Sequence, residues 1–170
     1  MMQNKIIIAN DKWGDAGKST SIRYVFELLK ERYNSTVLIP QNGIYDPTQD
    51  VKAIVEIPQP EGKFVKVGIE SEGDPRSRQP WSIDDFIAQG CEILLVACRW
   101  TLKSEKKVYE ICQNKGWQII WFDNSTMRVD VKCNSKLKQQ DNQLQDQLSR
   151  DYGFYVASLI ERLVLTGGVI

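Results

Sequence analysis

The chain contains no histidine, and that absence removes several chemistries at once. A Ser-His-Asp triad, a Cys-His dyad and a histidine general base are all excluded. The four cysteines (Cys91, Cys98, Cys112 and Cys133) show no C-x-x-C spacing, so a zinc site would need unusual ligands. They read as free, mostly buried thiols in a cytoplasmic protein. Net charge is missing too. The 22 basic residues cancel the 22 acidic ones, so nucleic acid is not indicated as a partner. No uninterrupted apolar run approaches the roughly 18 residues of a membrane span, so membrane insertion is not expected. Ile6 to Ala9 is too short for the core of an export signal, and Lys12 prevents its extension. Any catalysis must rest on carboxylates, lysines, arginines, bound metal and backbone dipoles. Phosphoryl transfer needs nothing more.

The residues present are ordinary in amount and specific in arrangement. At 170 residues, 42% hydrophobic and 26% charged, the chain has the composition of a globular protein with a substantial core. One domain over residues 1–170 is expected. Lys5 to Thr20 reads K-I-I-I-A-N-D-K-W-G-D-A-G-K-S-T. The three isoleucines predict a short, fully buried strand, and a polar loop with glycines leads into an amphipathic helix over Ser21 to Tyr33. Gly17-Lys18-Ser19-Thr20 stands at the helix mouth, which is the layout of a phosphate-binding loop. Backbone N–H groups of the loop and first helical turn can coordinate phosphate oxygens. Lys18 can reach the terminal phosphates, and the Ser19 hydroxyl is placed to ligate Mg²⁺. The full G-x-x-x-x-G-K-[ST] pattern asks for glycine six residues before the lysine, where this chain has Lys12, with Gly14 nearby. The plainer use of the tetrapeptide is a helix start with Ser19 or Thr20 as N-cap.

Further along, Thr36 to Pro40 reads as a second buried strand. Val51 to Ile57 and Lys63 to Ile69 flank the five-residue turn P-Q-P-E-G and predict a β-hairpin. A short helix is expected over Asp84 to Gln89 with Ser82 as N-cap, then a buried strand over Glu92 to Cys98. Ser104 to Asn114 reads as a helix stopped by Gly116, and Trp117 to Phe122 as a strand. Residues 130–150 allow either a solvated helix or a mobile segment. Tyr152, Tyr155, Val156, Leu159, Ile160, Leu163 and Val164 recur at helical spacing and predict a closing helix on the sheet. The fold class expected is α/β, a mainly parallel sheet flanked by helices with an inserted β-hairpin.

A nucleotide site needs an acid at a neighbouring strand end to share the Mg²⁺. Glu70 stands directly after the apolar run of the hairpin's second arm, and Asp74 lies four residues beyond it. On the stretch from Ile6 to Thr20 and the segment E-S-E-G-D-P, the chain resembles the P-loop NTPase superfamily. The resemblance implies Mg²⁺ and a nucleoside triphosphate. Lys12, Trp13, Gly14, Asp15, Ala16, Gly17, Lys18, Ser19 and Thr20 would be the nucleotide-binding residues, and Ser19, Glu70 and Asp74 the metal ligands. Trp13 either stacks on a base or packs the loop. Lys12 is similar to the signature lysine of the deviant Walker motif, but lies six residues before Lys18 and not five. Glu70-x-x-Gly73 is similar to the D-x-x-G element of GTPases, yet the later strands carry no N-K-x-D motif, which favours ATP over GTP. Arg76, Arg78 and Arg99 stand after strand ends and suit bidentate phosphate binding. With Lys18, Glu70 and Asp74 they form the expected catalytic set. Three functions are compatible with this set: an NTPase, a small-molecule or nucleotide kinase acting on a phosphate-bearing acceptor, and a non-catalytic nucleotide-responsive module that binds a protein partner.

Overall fold

In the computed structural model, residues 4–11, 18–72, 79–98, 103–123 and 135–168 are described. The isoleucine run forms β1 (Ile6–Asp11), and Ile6, Ile7, Ile8 and Ala9 are all fully buried. Both faces of this strand are covered, which explains why its sequence shows no polar alternation. Helix α1 (Lys18–Arg32) comes next, then β2 (Asn34–Ile39), β3 (Lys52–Pro58) and β4 (Phe64–Glu70). The rest of the chain is α2 (Gln79–Ala88), β5 (Ile93–Cys98), α3 (Lys103–Lys115), β6 (Gln118–Asp123) and α4 (Ser135–Leu165).

The six strands form one mixed sheet in the order β2-β3-β4-β5-β1-β6. β4, β5, β1 and β6 run parallel, while β3 is antiparallel to both β2 and β4. Alternation along the strands divides the core in two. Ile6 and Ile8 pack with Val25, Phe26 and Leu29 of α1 and with Val156, Ile160 and Leu163 of α4. Ile7 and Ala9 pack on the opposite face with Ile83 and Phe86 of α2 and with Val108 and Ile111 of α3. The architecture is thus α/β, with two helices against each face of the sheet.

The expected hairpin forms, paired from Lys52↔Glu70 to Pro58↔Phe64, with Gly62 at positive φ in its turn. Its turn is residues 59–63 and not Pro58 to Gly62, because Pro58 pairs with Phe64, so Ile57 faces Val65 and not Lys63. It is not an appendage, because its second arm is the parallel neighbour of β5. Four further expectations need correction. Helix α1 begins at Lys18 and not at Ser21, so Ser19 and Thr20 lie within its first turn and neither is its N-cap. The strand expected at Thr36–Pro40 is an edge strand over Asn34–Ile39 with its first half exposed, since only β3 pairs with it. Helix α2 begins at Gln79, so Ser82 lies within it and is no N-cap; Pro80 in the first turn suits a helix start. In α4, Tyr155 is exposed, whereas Val156, Ile160, Leu163 and Val164 are buried as expected. Residues 135–150 are the first half of that helix. Gly116 ends α3 at φ +68°, its N–H donating to the Cys112 carbonyl at 3.0 Å.

Candidate active site at the carboxyl edge of the sheet

Parallel pairing brings the carboxyl ends of β1, β4, β5 and β6 to one edge of the sheet, and α1 starts there. The antiparallel direction of β3 brings its amino end to the same edge. Register places Asp11 of β1 opposite Cys98 of β5 and Asp123 of β6. Glu70 of β4 is level with Val96, which is level with Ala9, so β5 separates Glu70 from β1. At the usual strand spacing that puts the Glu70 and Ala9 backbones about 10 Å apart.

Helix α1 opens with Lys18-Ser19-Thr20 and carries no acidic residue in its first turn. The N–H groups of its first turn and the positive end of its dipole therefore meet no carboxylate of their own turn. Ser19 is tied down instead. Its hydroxyl donates to the backbone carbonyl of Ser71, just past β4, at 2.8 Å. One helical turn along, Arg23 donates from Nη2 to the Thr20 hydroxyl at 3.2 Å and lies 3.8 Å from the Asp50 carboxylate.

Glu70 is fully buried, on the face that also carries Ala9 and Val96. A carboxylate in such a place must be hydrogen-bonded to persist. The Ser82 hydroxyl, itself buried in α2, donates to Oε2 at 2.8 Å, and the Glu72 N–H donates to Oε1 at 3.3 Å. Lys52, opposite Glu70 in the hairpin, sends its ammonium to Asp85 at 2.7 Å and over the Phe86 ring, 5.3 Å from its centre.

Of the residues anticipated from sequence, Ser19, Thr20 and Glu70 are described with their side chains, and Lys18 by its backbone at the start of α1. The Ser19 hydroxyl and Glu70 are joined through the Ser71 carbonyl, one residue beyond Glu70. Lys12, Trp13, Gly14, Asp15, Ala16, Gly17, Asp74, Arg76, Arg78 and Arg99 lie outside the described residues. Among the described residues no three acidic or cysteine side chains gather as a metal-binding group. A Mg²⁺ shared with phosphates and water needs only one or two protein ligands, and the hard oxygens of Ser19 and Glu70 suit it.

Sequence reasoning missed Ser71, Asp50, Arg23 and Ser82. One of these had a usable signal: Arg23 stands four residues after Ser19 on one helix face. The Ser71–Asp50 contact had none, because counting outward from the P-Q-P-E-G turn pairs Asp50 with Glu70, two residues out of the observed register. Cys91 and Cys98 are buried, and Cys112 is half-buried. Burial pushes the Cys91 thiol up to about 12 and the Cys112 thiol up to about 11, so both stay protonated near neutrality. Cys133 lies outside the described residues.

Compared with known proteins, the chain matches no protein-family model, no curated protein and no solved structure.

Proposed function

We propose that this chain is a P-loop-type protein that binds a Mg²⁺–nucleoside triphosphate, ATP in preference to GTP, at the mouth of α1 and hydrolyses it. One observation carries the reading. The Lys18-Ser19-Thr20 turn opens a helix at the carboxyl edge of the parallel strands of the sheet, and its Ser19 hydroxyl is bonded to the strand end that bears buried Glu70. In open α/β sheets that edge is where ligands gather.

The residues present suffice for the chemistry. The first-turn N–H groups of α1 and the Lys18 ammonium would hold the β- and γ-phosphates and stabilise charge as the terminal phosphoryl group leaves. Ser19 and Glu70 would hold Mg²⁺, which neutralises phosphate charge and aligns the group for transfer. Ser82 keeps the Glu70 carboxylate in one orientation. Without histidine, the proton of an attacking water must pass to a carboxylate or to the phosphate itself.

Calorimetric titration with ATP, GTP, CTP and their diphosphates, in Mg²⁺, tests the reading. Lys18→Ala should weaken triphosphate binding or raise the barrier by at least about 2 kcal/mol. It should leave the unfolding midpoint unchanged. Equal affinity and turnover in mutant and wild type would remove the central claim. Product analysis separates hydrolysis (free phosphate) from a kinase (phosphate on an added acceptor) and from a non-catalytic module (neither).

A further inference from the structure

Ser71 is held more firmly than a residue beyond a strand end requires. It is fully buried, and its N–H donates to the Val51 carbonyl at 3.0 Å. Its hydroxyl accepts from the Val51 N–H at 2.9 Å and donates to Asp50 Oδ1 at 2.8 Å. Asp50 faces Arg23 of α1 at 3.8 Å, and Arg23 reaches back to Thr20 at 3.2 Å. Ser19, Ser71, Asp50, Arg23 and Thr20 therefore close a circuit between the first turn of α1 and the start of β3. Its product is a fixed carbonyl, that of Ser71, 2.8 Å from the Ser19 oxygen.

A serine hydroxyl has one proton and two lone pairs. With the proton directed at the Ser71 carbonyl, only lone pairs remain for a ligand. Ser19 is then an acceptor, the form a cation requires. Were the carbonyl to move, the proton would be free to turn to a carbonyl of the helix itself or to a phosphate, and the lone pairs would turn with it. We propose that Ser71 and Asp50 are positioning residues that hold Ser19 as a ligand for a divalent cation. Arg23 offsets the Asp50 charge, so that this carboxylate orients Ser71 without competing for the cation. The inference rests on the nucleotide reading above and adds to it the means by which cation affinity is set.

The test is a Mg²⁺ titration at fixed β,γ-imido-ATP, which separates binding from turnover, with a parallel titration in EDTA. Ser71→Ala and Asp50→Ala should each raise the Mg²⁺ midpoint roughly tenfold, as loss of a residue that orients a metal ligand does. Nucleotide affinity in EDTA should stay as in wild type. Ser71→Thr keeps the hydroxyl and should restore the wild-type midpoint, while Ser19→Ala should shift it at least as far as Ser71→Ala. If Ser71→Ala does not fold, Asp50→Ala decides, because that side chain is part-exposed. An unshifted midpoint in both variants, or equal losses with and without Mg²⁺, would overturn the positioning role while leaving the nucleotide reading intact. Absence of any binding by the wild type would instead remove the nucleotide reading, and the positioning role with it.

Discussion

Gly68 lies in the middle of β4, where the Phe86 ring of α2 presses on the backbone. A Cβ built there would meet Phe86 Cγ at 2.6 Å, closer than real contacts allow. Phe86 is fully buried and also lies under the Lys52 ammonium, so it has little room to retreat. Gly68→Ala should therefore push α2 off the sheet and cost about 1–3 kcal/mol, in the range of overpacked cores. Urea unfolding measures this directly, and an unchanged midpoint would show that α2 tolerates the shift. Ser82, one turn before Phe86 in that helix, holds Glu70, so the same substitution should also weaken whatever the Glu70 carboxylate binds. The glycine thus links a packing requirement to the proposed site.

At the scale of elements, side-chain hydrogen bonds tie α1 and Tyr33, the residue after it, to α4. The Tyr24 hydroxyl donates to Asp146 at 2.6 Å, and Arg150 donates to the same carboxylate at 3.1 Å while lying 4.5 Å over the Tyr24 ring. Arg32 and Tyr33 converge on Glu161 at 2.8 and 3.0 Å. The hydrogen bond from Tyr24, and then Arg150, hold the Asp146 carboxyl below its ordinary value; burial and the same bond push the Tyr24 phenol above its own. A depressed carboxyl stabilises the fold above its unfolded value of 3.8, and that contribution is lost as pH falls through the folded value. A raised phenol contributes fully below 10.0, and its share is lost as pH rises through the folded value. Tyr24→Phe should cost roughly 0.5–1.5 kcal/mol at neutral pH. It should also return Asp146 toward its ordinary value in an NMR titration. An Asp146 that titrates as before would assign its depression to Arg150 alone.

Over the molecule as a whole, several of the described groups are displaced from their ordinary values, on two sides of neutrality. Asp46 and Asp146 are lowered, Asp46 chiefly by hydrogen bonds from Thr48. Tyr24, Tyr33, Tyr45, Cys91 and Cys112 are raised, chiefly by burial. The chain has no imidazole to titrate between them. Its unfolding midpoint in urea should therefore be constant between about pH 6 and pH 8. A slope in that window would reveal a carboxyl group titrating far from its ordinary range. Shape at this scale was only partly legible beforehand. Apolar runs identified β1, β4, β5 and β6, and the turn residues identified the hairpin. The T-V-L-I-P run did not disclose that β2 is an edge strand, because apolar content alone does not say how many neighbours a strand has.

The sequence by itself determined the local features: a buried first strand in Ile6 to Ala9, a helix opening on Lys18-Ser19-Thr20, a hairpin about a proline- and glycine-bearing turn, and chemistry without histidine. Each is a consequence of periodicity, turn chemistry or composition, which act over a few residues. The tertiary structure alone decided that β5 stands between β1 and β4, that Glu70 is buried with Ser82 of α2, and that the Ser19 hydroxyl meets the Ser71 carbonyl. Those contacts join residues far apart in the chain. Strand order and the packing of helices on the two sheet faces select them, and neither leaves a mark on the residues nearby.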